Sequence, residues 1–397
     1  MNRPIFITGA GIVSPIGTNK IEVLDSLTNE ETGISAIKYL KTDHKEFPVG
    51  EVNLSNKEMM KILNIPDNTP STRTSLMGIM ALKEAIEDAG LSNDDLNNTA
   101  FISGTTVGGM DKSEQYYLDF LTNDSKNEYI ATHDCGACSE MIADYFGGFN
   151  FVTSTSTACS SAANAIILGA NIIKSGLSDI VIVGGSECIT KFHLNGFNSL
   201  MILDQEHCRP FDDTRAGLNL GEGAAYIVLE SYNSVKIRDA KIKAVLKGYG
   251  NACDAFHQTA SSPNGEGAFL AMKEAIENAK LEISDIDYIN AHGTGTPNND
   301  FSESQAVKRI WGDNIPPISS TKSYTGHTTS ASGSIELVLC LLALEKQFTP
   351  INLNWSKKSD GVIIPVTENN KTEIQNILCN SFGFGGNDSS LIISKWS

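Results

Sequence analysis

The sequence lacks any apolar run of the roughly 18 residues that a membrane-spanning helix needs, and it lacks a basic and apolar leader of the kind that directs secretion. Basic residues are also scarce: 30 Lys and Arg stand against 47 Asp and Glu, for a formal net charge of −17. A nucleic acid backbone requires a basic surface. We therefore expect a cytoplasmic protein with neither a nucleic acid nor a membrane as its partner.

Cysteine is present but does not form a recognisable framework. The 397 residues contain eight cysteines, and without a secretion signal these are expected to be reduced thiols. His133, Cys135 and Cys138 are closely spaced, but no second close pair of Cys or His follows to complete the four ligands of a zinc site. We therefore predict no metal site.

One of these cysteines occupies a distinctive position. A β-branched run over residues 152–157 leads to Cys159, and a helical pattern of apolar residues follows over residues 161–174. Cys159 is thus predicted to lie where a buried strand turns into a buried helix. The positive end of the helix dipole lowers the pKa of a thiol placed there, which favours a reactive nucleophile. Taken alone, the same stretch favours an inert core cysteine, because free cysteine is among the most buried residue types.

The chain contains an internal repeat. Lys83–Ala89 recurs 190 positions later as Lys273–Ala279, and each copy precedes an acidic loop and a buried strand. The strand-to-helix unit of Cys159 has a counterpart in Ile318–Lys322 and the helical pattern that follows it. A duplication is the economical explanation. It predicts an α/β protein of two halves with parallel strands buried on both faces, and an active site where equivalent loops meet.

The second half supplies two further candidate groups. His292 follows a buried strand and opens the glycine-rich loop His292–Pro297, and His327 ends the similar segment Thr321–His327. Near the C-terminus, residues 380–387 combine glycines with an aromatic ring. One cysteine and two histidines, each at a predicted strand end, form a set suited to nucleophilic acyl transfer.

Four segments carry a family resemblance: Thr157–Ser161, His292–Pro297, Lys322–His327 and Asn380–Gly386. In this order they resemble the signatures of β-ketoacyl-[acyl carrier protein] synthases, and the closest type is the elongating one with a Cys-His-His site. The resemblance extends over essentially the whole chain. It implies the thiolase fold, a duplicated αβαβα five-layer sandwich, usually a homodimer.

The resemblance also implies a division of the chain and of its chemistry. Residues 1–241 form the half with the nucleophile, and residues 242–397 form the half with both histidines. Cys159 takes an acyl group from an acyl carrier protein. Malonyl-carrier then undergoes a decarboxylative Claisen condensation with that acyl group, which gives a 3-oxoacyl-carrier product. No resident cofactor is implied, because the phosphopantetheine arrives on the carrier.

The remaining site roles follow from the same resemblance. The backbone N–H groups of Cys159 and Phe384 form the oxyanion hole, while His292 and His327 donate hydrogen bonds to the malonyl thioester. Both histidines must be neutral for this role, and burial would keep their pKa values low. The resemblance assigns other positions as follows: Lys322 and Glu303 as a supporting pair, Thr294 and Thr296 as phosphopantetheine contacts, Phe384 as the gate of the acyl pocket, and Val107 as a position that helps set chain length.

The sequence departs from the family pattern at several positions. Asn299-Asp300 and Asn387-Asp388 replace the usual Gly-Asp and Thr-Asn pairs, and Met201 stands where related synthases have an arginine that helps to dock the carrier. Carriers are typically acidic, so docking on this acidic chain would need a local basic patch. The candidates are Lys57, Lys61, Arg73 and Lys191.

Substrate range and role stay open at this point. Housekeeping fatty acid synthesis and a specialised polyene or polyketide pathway both fit. Two other classes deserve comparison. A non-elongating partner subunit would lack the cysteine, and a thiolase acting on coenzyme A esters would need a second catalytic cysteine. Cys379 lies near the right region, but its place in a predicted strand indicates a core residue.

Overall fold

Ten strands pair into one continuous sheet in the computed structural model, which describes residues 4–368 and 373–396. The strands are β1 (Ile5–Val13), β2 (Thr99–Gly104), β3 (Phe151–Thr155), β4 (Ile180–Glu187), β5 (Gly223–Ser231), β6 (Ala244–Cys253), β7 (Tyr288–Asn290), β8 (Ile318–Ser319), β9 (Asn376–Gly383) and β10 (Asn387–Ser394). Six of these strands, β1, β2, β4, β5, β7 and β8, are buried along their whole length, which matches the near-continuous apolar runs in the sequence.

Thirteen α-helices surround this sheet within the described part of the chain. They are α1 (Lys20–Thr28), α2 (Asn56–Ile62), α3 (Arg73–Ala89), α4 (Asn93–Leu96), α5 (Met110–Phe120), α6 (Cys135–Phe146), α7 (Ser161–Ser175), α8 (Lys191–Ser199), α9 (Tyr232–Arg238), α10 (Glu266–Ala279), α11 (Pro297–Trp311), α12 (Lys322–Thr325) and α13 (Ser332–Lys346). None of the helices in residues 4–368 and 373–396 combines the length and the apolar character needed to cross a bilayer.

The sheet has an approximate two-fold symmetry. Its strand order is β3-β2-β4-β5-β1-β6-β10-β9-β7-β8. Counted outward from the centre, β1-β5-β4-β2-β3 of the first half corresponds to β6-β10-β9-β7-β8 of the second half. β2 runs parallel to β3 and β4, and β7 runs parallel to β8 and β9. The two halves meet where β1 pairs antiparallel with β6. The strand pattern agrees with the duplication that the sequence repeat indicated.

The repeated helices pack in the same way on the two halves. Helix α3 lies on β1 and β5, and helix α10 lies on β6 and β10. A Cβ atom on Gly11 would come within 2.1 Å of the carbonyl oxygen of Ala81, and one on Gly250 would come within 2.2 Å of the carbonyl oxygen of Ala271. Only glycine permits this approach of helix to strand. The two alanines are 190 positions apart, which is the spacing of the sequence repeat.

Three hydrophobic clusters define the layers. The largest contains residues of both halves of the sheet and of α7 and α13, which contact each other. A second cluster joins α3 to the first half, and a third joins α10 and α11 to the second half. One layer of helices therefore lies between the two five-stranded portions of the sheet, and a further layer covers the outer face of each portion. The thiolase-like αβαβα arrangement is confirmed.

Strand direction determines where the polar groups gather. Because β7, β8 and β9 run parallel, their carboxyl ends lie at one edge of the sheet. His292 follows β7 by two residues, Lys322 follows β8 by three, and Phe384 directly follows β9. Cys159 follows β3 in the first half. Each predicted site residue of this group thus extends from the end of a strand.

Candidate active site

Cys159 lies in the turn between β3 and α7. Ala158 has a φ of +51°, in the left-handed region that residues with a Cβ rarely adopt. The turn is closed by hydrogen bonds from the N–H of Ser160 to the Thr157 carbonyl (3.3 Å) and from the N–H of Ser161 to the Ala158 carbonyl (3.2 Å). The predicted position of the thiol, between a strand and a helix, is confirmed, but the prediction that this strand is buried is wrong, because β3 lies at the edge of the sheet and its residues are partly exposed.

The prediction of a lowered thiol pKa is wrong. Cys159 is 6% exposed, and burial raises its pKa to about 11, although Lys322 and the backbone N–H groups of Phe384 and Cys159 act in the opposite direction. The cost of removing a thiolate from water exceeds the stabilisation that these groups provide. The thiol is therefore protonated at neutral pH, and nucleophilic attack requires that its proton be transferred.

His327 is the partner of this thiol. Its Nε2 lies 3.1 Å from the Sγ of Cys159, and its Nδ1 lies 3.2 Å from the Oγ of Ser332. The ring is almost completely buried, and burial together with the charge of Lys322 lowers its pKa well below the ordinary value. His327 is therefore neutral at pH 7, as predicted, with one nitrogen beside the thiol sulfur.

His292 completes the triad. Its ring is perpendicular to that of His327, with 5.2 Å between the ring centroids. The Nδ1 of His292 lies 3.3 Å from the Nζ of Lys322. Burial, followed by the charges of Lys322 and His327, lowers the pKa of His292 well below its ordinary value. The predicted neutral state of both histidines is confirmed.

The ion pair predicted between Lys322 and Glu303 is wrong, because Lys322 pairs with Glu336 of α13. Both partners are buried, and burial raises the pKa of Glu336 to about 7. Glu303 instead accepts hydrogen bonds from the backbone N–H groups of His292 (2.9 Å) and Gly293 (2.8 Å). It supports the loop of His292 through the backbone, and not through the lysine.

The predicted second oxyanion donor, Phe384, lies on a glycine turn. Phe384 begins the short 3-10 turn Phe384–Gly386, whose glycines have positive φ values. Its backbone N–H is one of the groups that act to lower the pKa of the Cys159 thiol. Its ring stacks on Phe197 of α8, with centroids 5.8 Å apart and an interplanar angle of 24°.

These groups surround one cavity of about 350 Å³. Cys159, His292 and His327 line it, and so do the predicted pantetheine contacts Thr294 and Thr296. The hydroxyl oxygens of the two threonines are 2.8 Å apart. A polar wall thus leads towards the thiol through an otherwise largely apolar space, which suits a chain carrying amides and a terminal thioester.

Another wall of this cavity contains the replaced family position Asp388. Asp254 and His257 also line the cavity there. Burial, with the nearby charges of Asp254 and Glu303, raises the pKa of Asp388 to about 8. The side chain that stands where the family usually has asparagine is therefore mostly uncharged at pH 7.

Two predicted residues lie elsewhere. Arg73 was expected on a docking surface, but it is buried and forms an ion pair with Glu222. It also donates to the carbonyl oxygens of Val52 and Leu54, so it is a structural residue. Val107 packs into the cluster beneath α3 and does not line the cavity of Cys159.

The other docking candidates are exposed. Lys57 and Lys61 lie on α2, and Lys191 begins α8. Cys379, the residue on which a thiolase interpretation would depend, is 1% exposed inside β9 and belongs to the central cluster. Among the described residues, no group of three or more His, Cys, Asp or Glu side chains is arranged to hold a metal ion.

The sequence reasoning missed three residues of the site. Glu336 could have been noticed, because it is the one charged residue in the apolar segment 335–344. A single charge in a buried helix requires a partner. Phe197 and Ser332 carried no comparable signal, since an aromatic ring and a serine are ordinary residues at helix positions.

A duplicated α/β fold with a buried cysteine and two neutral histidines at its strand ends defines a condensing enzyme of the thiolase-like class. Comparison with known proteins specifies the family. The family model described as beta-ketoacyl synthase, N-terminal domain, matches residues 2–234, and the C-terminal domain model matches residues 243–356. The chain belongs to the β-ketoacyl synthase family, and it is a 3-oxoacyl-[acyl carrier protein] synthase type of condensing enzyme, of fatty acid or polyketide synthesis.

Individual relatives match over the full length. The 3-oxoacyl-[acyl-carrier-protein] synthase 1 of Haemophilus influenzae is 32% identical over 417 residues, which cover 100% of both chains. The solved structure of the ishigamide ketosynthase/chain length factor is 30% identical, with a TM-score of 0.92. A second solved structure, a type II polyketide synthase acyl-carrier protein in complex with its ketosynthase bound to the hexaketide, is 25% identical, with a TM-score of 0.90. Both structures cover 100% of both chains.

Proposed function

We propose that Cys159 receives an acyl group from a carrier-bound thioester. The observation that carries this proposal is the 3.1 Å approach of His327 Nε2 to the Cys159 Sγ, within a cavity that His292 also lines. In the first step the sulfur attacks the thioester carbonyl, and the carrier thiol leaves with the proton that Cys159 gives up. The N–H groups of Cys159 and Phe384 receive the oxyanion, a stabilisation worth roughly 3–4 kcal/mol per donor in the best cases.

The second step uses the histidines. A malonyl thioester enters with its thioester oxygen towards His292 and His327, which donate hydrogen bonds to it. Loss of CO2 leaves an enolate, and these bonds stabilise its oxygen. The enolate carbon then attacks the acyl carbonyl on Cys159. The bond to sulfur breaks and releases the 3-oxoacyl thioester, and the Cys159 thiolate takes up a proton from water.

The substrates reach the site on an acyl carrier protein, and the phosphopantetheine arm is the only prosthetic group needed. Thr294 and Thr296 are placed to contact this arm, since both line the cavity that leads to the thiol. The names of the relatives described above, which include acyl-carrier proteins, support the same partner. With Arg73 buried, we assign the basic docking residues to Lys57, Lys61 and Lys191. Val107, which does not line this cavity, stays assigned to chain length on the family resemblance alone.

The active form is proposed to be a homodimer. Within residues 4–368 and 373–396, β3 is the edge of the sheet and pairs on one side only, with β2. An open strand edge presents unpaired N–H and C=O groups, and Phe151 at its start is 48% exposed. A second copy that adds its own β3 would satisfy these groups. Sedimentation of the Phe151→Lys variant should give monomers, while Ile237→Lys, a change at another exposed apolar residue, should stay dimeric.

The two halves are proposed to divide at residues 241 and 242, in the segment between α9 and β6. Each half has its own outer helices and five strands, and each provides part of the site. Cys159 comes from the first half, and both histidines and Phe384 come from the second. Neither half alone would hold a complete oxyanion hole.

The decisive experiment is a reconstituted condensation. The protein is first incubated with an acyl-carrier thioester, and mass spectrometry locates the acyl group. Malonyl-carrier is then added, and the product is identified as the 3-oxoacyl carrier. An adduct at Cys159 followed by this product is expected. An adduct at Cys379 would support thiolase chemistry, and an unmodified protein would support a non-elongating partner subunit.

A further inference from the structure

Two polar side chains lie close in the chain to the two proposed oxyanion donors. Ser160 comes after Cys159, and Asn387 comes after the turn that begins with Phe384. Although they belong to different halves, the Oγ of Ser160 lies 2.8 Å from the Oδ1 of Asn387, and its single hydroxyl proton is shared between this oxygen and the Thr157 carbonyl at 2.7 Å. This hydrogen bond therefore joins the turn that carries one donor to the turn that carries the other.

The orientation of the Asn387 amide is determined by its neighbours. Besides the hydroxyl of Ser160, the Nδ2 groups of Asn164 (2.6 Å) and Asn251 (3.0 Å) point at Asn387 Oδ1. Amide NH2 groups are donors only, so the oxygen and not the nitrogen of Asn387 must face them. Asn164 also donates to the Oγ1 of Thr157 at 2.8 Å, so both sides of the nucleophile turn are held.

The glycine turn requires such an anchor. Gly385 and Gly386 have φ values of +84° and +77°, and glycines leave a turn with more backbone freedom than other residues do. The other hydrogen bonds of the turn lead into the second half, from the Gly385 N–H to the Gln258 carbonyl and from the Asp254 N–H to the Gly386 carbonyl (both 2.8 Å). Asn387 supplies the side-chain bond towards the nucleophile turn.

We propose that Asn387 is a positioning residue, which sets the separation of the two oxyanion N–H groups by holding Ser160. The proposal rests on the proposed function of Cys159 and Phe384 as the oxyanion hole. It concerns a position where this chain departs from the usual threonine of its family. Catalysis is sensitive to such placement, since a shift of about 1 Å in a reacting geometry can cost about 10²-fold in rate.

The two half-reactions should respond differently to loss of this bond. Acylation of Cys159 depends on the hole that Asn387 holds. Decarboxylation of malonyl-carrier depends on His292 and His327, which lie together on loops of the second half. A residue that merely stabilised the fold would affect both half-reactions alike.

The test uses Asn387→Leu, Ser160→Ala and the double variant. The first-order rate of Cys159 acylation is followed by quenched-flow mass spectrometry, and malonyl decarboxylation is measured with each change placed in a Cys159→Gln background. Each single variant should lose roughly 10-fold or more in acylation rate with decarboxylation unchanged. The double variant should be no slower than the slower single variant, because both changes remove the same bond.

A matched control exists at the far end of the same strand pair. Asn376 on β9 accepts a 2.6 Å hydrogen bond from Ser394 on β10, far from the glycine turn in the strand register. Asn376→Leu should leave the acylation rate unchanged. Thermal unfolding of all variants identifies any that fail to fold. If Asn387→Leu fails, Ser160→Ala carries the test, because it removes a single atom.

Two results would overturn the inference. One is acylation of Asn387→Leu and Ser160→Ala at the wild-type rate. The other is an equal loss of both half-reactions, or additive losses in the double variant. Failure of the proposed function is distinguishable, because the wild-type protein itself would then not be acylated at Cys159.

Discussion

The Nζ of Lys322 lies 3.3 Å from the Nδ1 of His292, and both side chains are almost completely buried. A lysine ammonium group can only donate, so Nδ1 accepts and carries no proton. The proton of the neutral ring is then on Nε2. Lys322 thus fixes the tautomer in which His292 can donate a hydrogen bond from Nε2, the form that stabilisation of an enolate oxygen requires.

The two half-reactions should separate when the triad is changed. Cys159→Gln should abolish condensation and retain malonyl decarboxylation, because both histidines remain and glutamine resembles the acylated side chain. His292→Ala and His327→Ala should each reduce decarboxylation by roughly 10²-fold or more, as expected for loss of a major electrostatic donor. Release of CO2 from labelled malonyl-carrier measures the rate.

The control for this experiment is another buried histidine. His193 on α8 lies 3.6 Å from Glu187 and does not line the cavity, so His193→Gln should retain decarboxylation. Wild-type decarboxylation rates in both triad histidine variants would contradict the roles proposed for these residues.

The buried pair of Lys322 and Glu336 should serve both stability and tautomer control. Glu336→Leu leaves a buried charge without its partner and should cost about 3–5 kcal/mol in the free energy of unfolding. The double change Lys322→Met with Glu336→Leu should recover much of this stability, because apolar residues often replace a buried ion pair without loss.

Decarboxylation should nevertheless stay low in the double variant, since His292 no longer has a donor at Nδ1. Denaturant unfolding and the CO2 assay on the same samples check this. Recovery of stability and of decarboxylation together would show that the pair has only a structural role.

The Cys159 thiol should lose its proton only at high pH. Since its pKa is raised to about 11, the thiolate is the minor form at neutral pH, and alkylation by iodoacetamide should accelerate by about tenfold per pH unit from pH 7 to 10. An ordinary thiol, with a pKa of about 8.5, would level off within this range. The rate at Cys159 is read by peptide mass spectrometry in a Cys253→Ser background, because Cys253 is exposed. A plateau near pH 8.5 would contradict the raised pKa.

Docking of the carrier should depend on the lysines of α2. Lys57→Glu with Lys61→Glu should raise the KM for carrier-bound substrate at low salt, mainly through a slower association rate, and the difference should shrink as salt rises. Turnover of small pantetheine thioesters should not change, because these need no protein surface. Steady-state kinetics with both substrate forms provide the measurement.

The matched control reverses two lysines of similar exposure elsewhere. Lys273 on α10 and Lys346 at the end of α13 have side chains about half exposed, at 55% and 50%. Their double reversal alters net charge equally and should leave the KM unchanged. Equal KM values for the wild type and the Lys57/Lys61 variant would instead assign docking to apolar contacts around Met201, which is 88% exposed.

Much of the fold was predictable because the signals were local and repeated. The copies at Lys83–Ala89 and Lys273–Ala279 became equivalent helices, α3 and α10, on equivalent strands. Cys159 and His292 were found because each follows a predicted strand and lies next to glycines or small residues, although β3, the strand before Cys159, proved to be a partly exposed edge strand. The direction of the strands was then sufficient to predict that these residues meet at one site.

The errors concern interactions between distant parts of the chain. From the sequence alone, Arg73 is indistinguishable from an ordinary surface charge, because its partner Glu222 lies 149 positions away in the chain. The helix dipole at Cys159 is a local effect, whereas the burial that outweighs it comes from Phe384, His327 and other residues of the second half. Lys322 pairs with Glu336 and not with Glu303, and only the three-dimensional arrangement reveals which of the two carboxylates lies beside it.

Because Cys159 and Phe384 belong to opposite halves, the activity of the enzyme depends on how accurately the two halves are packed against each other. The separation of the two N–H groups is a distance between halves that meet at the short β1–β6 pairing and through α7 and α13. A slight relative slip there would leave helices, strands and their spectroscopic signals intact. Turnover should therefore decline in mild denaturant before circular dichroism records any unfolding. Activity is then a more sensitive measure of the contact between the two halves than the circular dichroism signal is.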